Sequence, residues 1–207
     1  MKHFYLLLLA FIVSSCAKEK MQDPSKLKNG QEVELMVDHR FSAIGETLTL
    51  LPKNEPAEFS LLGFEKRKPG YTYRVKAKFH IEKNPAQDGP DRWFAFSKVV
   101  SEQKYTGTEA FDISLIESFV PGGPFIVLTK IDDQYRYSQD RIQLSTNNPI
   151  VNQQLEEIWQ HVLELRKVEL EDQKFIFPRW HSIRARVIHD PNNFGKAYLV
   201  QSIAFNL

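Results

Sequence analysis

His39, His80, His161, His181 and His189 are the side chains best suited to acid–base or metal chemistry in this 207-residue chain, yet their spacing assembles neither. A zinc centre needs three or four converging ligands. His181 and His189 share strand parity, but at ~3.3 Å per residue they stand roughly 26 Å apart, too far to hold one ion. An activated nucleophile needs a base within hydrogen-bond reach and a recognisable setting. There is no Gly-x-Ser-x-Gly, no Ser-x-x-Lys ahead of an apolar helix, and a single cysteine, Cys16. Asp132, Asp133 and Asp140 cluster beside tyrosines and leave a hydrolase or transferase open, although tyrosine-rich hairpins have this composition without catalysis. The loop Asn84–Asp91 offers oxygens but lacks the alternating acids and closing glutamate of a calcium loop. Gly122-Gly123 is followed by strand pattern where a phosphate cradle would open a helix, and reads as a hairpin connection. The expectation is a protein without catalytic residues, metal or cofactor.

Alternation of period two dominates the elements that would position any site. Val33, Leu35, Val37 and Phe41 share one face against Glu32, Glu34, Asp38 and Arg40. Further strands are expected at Thr47–Leu51, Glu58–Leu62, Tyr71–Ile81 and Trp93–Ser101. A second set follows at Phe111–Phe119, Phe125–Lys130, Tyr135–Leu144, His181–Ile188 and Ala197–Phe205. Tyr73–Phe79 lies over His181–Val187, and Trp93–Phe96 over Ala197–Val200, which raises the possibility of a duplicated unit. Between the third and fourth strands of the second set, Asn148 caps and Pro149 opens a helix. Val151, Leu155, Ile158, Val162 and Leu165 form its apolar stripe, widened by Trp159 and Leu163. Three strands, a helix and two strands is the order of an OB-fold. The expected class is therefore mostly β with one helix: tandem small OB-like barrels over 31–105 and 106–207, the first lacking the helix.

Two surfaces follow from that order. Loops Val120–Pro124 and Asp190–Lys196 would flank a ligand face holding Phe125, Tyr135, Tyr137, Phe194 and Tyr198, aromatics able to stack on a sugar or side chain. Core packing accounts for the same aromatics. Arg74, Lys76 and Lys78, with Arg184 and Arg186, form outward basic faces that would suit a polyanion, or that simply guard a strand face against aggregation.

The N-terminus joins a basic tip, Met1-Lys2-His3, to an apolar run, Phe4–Val13, and then to Ser14-Ser15-Cys16. Ten apolar residues fall short of the ~20 that cross a bilayer and match a secretion signal. Val13-Ser14-Ser15-Cys16 resembles the lipobox of bacterial lipoproteins. The resemblance implies cleavage after residue 15, a diacylglycerol thioether on Cys16 and a further fatty-acyl chain (palmitate) on its amine. Two or more chains, at about 0.8 kcal/mol per buried CH₂, anchor stably. Ala17 after the cysteine implies the outer membrane in a two-membrane envelope. Cleavage removes Lys2, so 27 basic and 26 acidic residues become 26 of each, which argues against nucleic acid as a partner. Residues 16–30 are polar and lysine-rich and read as a leash.

Gly63-Phe64, Pro69-Gly70-Tyr71-Thr72-Tyr73-Arg74-Val75 and Asn84-Pro85-Ala86 make the first half similar to an uncharacterised bacterial envelope domain often found beside META (HslJ-like) domains. That family implies location and fold but no chemistry, and its frequent cysteine pair is absent here. The expected function is a lipid-anchored envelope protein that binds a protein, peptide or glycan without catalysis. A scaffold or chaperone-like component, docking through the strip Val151–Leu165, is the second reading.

Overall fold

Tyr73, Val75, Ala77 and Phe79 are apolar at every second position, and the strand they predict is present as Tyr71–Ile81 with all four side chains buried. The computed structural model describes residues 26–86, 89–119 and 122–207. The signal segment, Cys16 and most of the leash lie outside these residues, as do Gln87, Asp88, Val120 and Pro121. The ordered body starts earlier than 31: Leu27 is buried, Gly30 N–H donates to Phe79 O, and Asn29 Oδ1 accepts from Ile81 N–H.

The first sheet contains β1 (Glu32–Val37), β2 (Leu48–Leu50), β3 (Glu55–Pro56), β4 (Leu61–Leu62), β5 (Tyr71–Ile81) and β6 (Arg92–Lys104), in the order β3-β2-β1-β5-β6-β4. The second contains β7 (Phe111–Ser114), β10 (Thr129–Ile131), β11 (Gln134–Tyr137), β12 (Ile142–Ser145), β13 (Ser182–His189) and β14 (Ala197–Asn206), in the order β10-β11-β12-β14-β13-β7. A separate hairpin joins β8 (Ile116–Phe119) and β9 (Gly123–Ile126). The chain is mostly β, with curled, half-barrel sheets and one α-helix among the described residues, α1 (Pro149–Asp172).

The two sheets share a connectivity. A long hairpin, β5–β6 or β13–β14, is flanked on its first arm by an antiparallel strand, β1 or β7. Its second arm is flanked by a parallel strand, β4 or β12. The repeat seen in sequence thus falls on equivalent strands, but its second block is displaced. Phe79 faces Phe94 and Val187 faces Val200, so Phe94 corresponds to Val200 and not to Tyr198. The connection within the second hairpin is two residues shorter, which a comparison by apolar pattern does not detect.

The three strands expected before the helix of the second half are six. Asp132 and Asp133, at φ 50° and 59°, make the two-residue turn that splits β10 from β11; both central positions of such a hairpin turn are left-handed. Ser138, Gln139 and Asp140 are also left-handed and separate β11 from β12. A buried stripe of Val151, Leu155, Ile158 and Val162 seats α1 on the second core. Four residues of the strip expected to dock a partner over Val151–Leu165 are therefore buried within the molecule, while Leu163 is 40 % exposed. The cap is where the sequence places it: Asn148 Oδ1 accepts from Ile150 N–H at 2.9 Å. Asn148→Ala is expected to cost about 1 kcal/mol, read as a lower urea midpoint with an unchanged slope.

Each sheet wraps its own apolar cluster, one spanning Leu27 to Phe96 and the other Phe111 to Ile203. The β1–β2 loop breaks this separation. Phe41, expected on the inward face of the first strand, leaves it and packs with Ala43 against the second cluster. Tyr198 and Tyr137 hydroxyls donate to Phe41 O (2.7 Å) and Ser42 O (2.6 Å), and Ile44 N–H donates to Asp112 O (2.8 Å).

Candidate functional site

The five aromatics expected to share a ligand face are dispersed. Tyr137 and Tyr198 are core residues whose hydroxyls are spent on the β1–β2 loop, and burial pushes both phenols well above their ordinary pKa. Tyr135 is buried and its hydroxyl donates to Glu156 on α1 at 2.6 Å. Phe125 lines a small crevice between β9 and the end of α1 with Ile126, Leu165 and Phe175. Phe194 lies with its ring against the first half. It presses on Gly70, where φ is +81° and a Cβ would come within 2.6 Å of the ring. The Pro69-Gly70-Tyr71 motif thus serves this contact, with Tyr71 meeting Phe194 edge-on at 5.6 Å. An aromatic platform does not form because alternate positions of these short strands face inward, where rings fill the core.

The basic faces are neutralised across the strands. Antiparallel register sets Glu32 and Glu34 of β1 beside β5, where Glu34 pairs with Arg74 and Glu32 with Lys76 (2.6 Å). Asp112 of β7 serves both Arg186 (3.1 Å) and Arg184 (3.8 Å). Lys78 is exposed directly opposite Glu32. A polyanion would have to displace these carboxylates, so the expected anion faces read as solvated ion-pair ladders. Asp132, Asp133 and Asp140 hold turns rather than a reaction centre; the Asp133 side chain is fully exposed and Asp140 accepts from the Thr129 hydroxyl. His181 immediately precedes β13 and His189 ends it, so the two are separated by the length of the strand.

What the fold brings together is a groove and a histidine pair, both where the halves meet. The groove, of about 720 Å³, lies between β2 and the 57–65 stretch that carries the edge strand β4. Phe41, Leu48, Phe59, Leu61 and Phe64 supply its apolar wall, and Glu58, Glu65, Gln139 and Arg141 stand at its rim. Arg141 arrives from the second half on the left-handed Ser138–Asp140 loop. Its guanidinium donates to Glu65 O (2.7 Å) and Arg67 O (2.9 Å) and lies over the Phe41 ring at 4.5 Å. Arg67 also lies over that ring, at 4.9 Å, and pairs with Glu46. Consecutive non-glycine residues in left-handed conformations are costly and persist where surrounding contacts over-determine them. Here they deliver Arg141 across the boundary.

Behind the groove, His39 Nδ1 and His189 Nε2 are 2.8 Å apart, joining residues 150 positions distant in sequence. His39 stacks on Tyr105 at 3.6 Å with planes 6° apart, beside a recess of about 370 Å³ that Asp38, Arg40 and Glu109 also line. His189 is 7 % exposed and meets Phe111, Phe194 and Tyr198. Burial, reinforced by His39, pushes His189 down to about 4. Burial also lowers His39, against the pull of Asp38. Burial alone would raise Asp38, but the Arg40 guanidinium holds it at about 2. Both rings are thus neutral at pH 7, and one N–H is shared between them. Assigned from its neighbours, the proton sits on His189 Nε2, which leaves His39 Nε2–H facing Asp38 Oδ1 at 3.7 Å. His189 Nδ1 is buried without a hydrogen-bond partner among the described residues. Among the described residues no three metal-ligating side chains converge.

Neither the groove nor the pair was legible as a site in sequence. The one available signal was parity, since His189 continues the inward face of Ile183, Ala185 and Val187. Compared with protein-family models, with curated proteins and with solved structures, the chain finds no match.

Proposed function

We propose that this protein is a non-catalytic binding module of the bacterial envelope, held at a membrane by acylated Cys16, and that its groove receives an extended segment of a partner protein. The supporting observation is the groove itself: an apolar wall of three phenylalanines and two leucines beside a charged rim, open along a strand edge. In a parallel pair, alternate residues point their backbone groups away from the partner strand. Ser60 O accepts from Phe94 N–H on β6, so Leu61 turns its N–H and C=O toward the groove. A strand edge with side-chain pockets beside it suits β-augmentation by a peptide. Each half is read as an OB-like barrel; the antiparallel and parallel flanks shared by the two hairpins, and α1 between β12 and β13, support that reading. The lipobox resemblance supports the tether.

Leu62 is 44 % exposed at the groove and is not a member of the buried core, so Leu62→Asp tests the site without emptying the interior. Affinity capture from intact envelopes, comparing wild type, Leu62→Asp and Phe125→Ser, is expected to show at least a tenfold loss of the captured partner for Leu62→Asp alone, about 1.4 kcal/mol. Equal capture by all three rejects the groove, and recovery of a glycan in place of a protein rejects the ligand class.

A further inference from the structure

The β1–β2 loop begins at the histidine pair and ends at the groove. Asp38 and His39 open it; Phe41 and Glu46, which line the groove, follow within a few residues. Phe41, Ser42 and Ile44 carry its hydrogen bonds to the second half. Whatever parts His39 from His189 therefore strains the loop that forms one end of the groove.

Proton balance at the pair is unforgiving. The neutral pair shares one N–H. A first added proton enters at His189 Nδ1, the one ring nitrogen of the pair with a free lone pair, and the shared proton passes from His189 Nε2 to His39 Nδ1. The charge then rests on His39, whose Nε2–H faces Asp38, and the bond survives with its polarity reversed, His39 Nδ1–H donating to His189 Nε2. A second proton, on His189, puts hydrogen on both facing nitrogens and leaves no acceptor between two cations. The groups around the pair divide: Asp38 and Glu109 favour protonation, Arg40 and Arg67 oppose it, and Tyr105 and the rings around His189 offer no counter-charge. Asp190, next in sequence, accepts from Ser145 Oγ (2.6 Å) and Asn192 N–H (2.8 Å).

We propose that the His39–His189 hydrogen bond is an acid-operated catch on the groove: when both rings are charged they part, the β1–β2 loop lifts from the second half, and the groove releases its occupant. The last step rests on the groove being the ligand site, as proposed above; the catch itself does not. Burial of His189 places the second proton near pH 4.

The test needs no ligand, so its outcome is separate from that of the capture experiment. In ¹⁵N-labelled protein, exchange of the Ile44 amide, bonded to Asp112 O, is compared with that of the Phe79 amide, bonded to Gln31 O, after correction for the intrinsic pH dependence. Between pH 6 and pH 3.5, Ile44 protection is expected to fall at least tenfold further than that of Phe79. In His189→Gln, whose amide takes up no proton in this range, Ile44 is expected to stay protected at both pH values. Unchanged Ile44 protection in wild type, or the same loss in His189→Gln, overturns the catch. Should the variant not fold, imidazole ¹⁵N shifts of wild type decide. Two proton uptakes are expected, the second coincident with loss of Ile44 protection, and absence of that coincidence overturns the proposal equally.

Discussion

Tyr198→Ala is expected to lower the unfolding free energy by about 3–5 kcal/mol, the range for emptying a buried aromatic site. Tyr198 has no exposed surface, meets Phe111 edge-on at 5.1 Å and packs against His189 at 5.5 Å. Its hydroxyl reaches Phe41 O at 2.7 Å, so the same side chain fills the second core and ties down the β1–β2 loop. Tyr198→Phe separates the two contributions. It keeps the ring and strips the donor from a part-buried carbonyl, at a cost of about 1–3 kcal/mol. Guanidinium titrations followed by tryptophan fluorescence would measure both variants. A loss below about 1 kcal/mol for the alanine variant contradicts the packing described for this ring.

Stability is expected to decline as pH falls from 6.5 to about 4, and His189 dominates that window. Its folded pKa of about 4 lies below the unfolded value of 6.5, so the unfolded chain binds the proton first. The neutral ring's contribution is whole above pH 6.5, shrinks as pH falls toward 4, and is constant below it. At about 1.4 kcal/mol per pKa unit the loss approaches about 3 kcal/mol, and His39 adds to it in the same direction. Asp38 acts in a lower window: its pKa, depressed to about 2, gives a contribution that is lost as pH falls from 3.8 through 2. His189→Gln should flatten the profile between pH 6.5 and 4 and leave the Asp38 limb in place. A variant profile parallel to that of wild type would show that the acid sensitivity originates elsewhere.

Much of the architecture could be read locally. Tyr71–Ile81, Ala197–Phe205 and the Asn148-capped helix are found within a residue or two of their expected starts. The inward residues of β5 are those that alternation selects. Where local reading failed, long-range contacts had intervened. Phe41 follows the parity of Val33, Leu35 and Val37, but the chain turns at Asp38, held by Arg40 at 2.9 Å, and carries the ring into the other half. Tyr135, Tyr137 and Tyr198 invited a ligand-face reading because an aromatic on an alternating strand has the same spacing whether its face meets solvent or core.

Alternation, capping and turn preference act over a few residues, which is why strand faces, the helix and its start were written in the chain's own order. The histidine pair, the groove and the neutralised basic faces depend instead on which residues meet after both sheets have curled and the β1–β2 loop has crossed between them. His39 and His189 come together only because Ile44, Tyr137 and Tyr198 anchor that loop. Arg141 enters the groove only through three left-handed residues whose conformation neighbouring contacts sustain. Such meetings are decided by the combined packing free energy of two cores, a quantity that no short window of sequence contains.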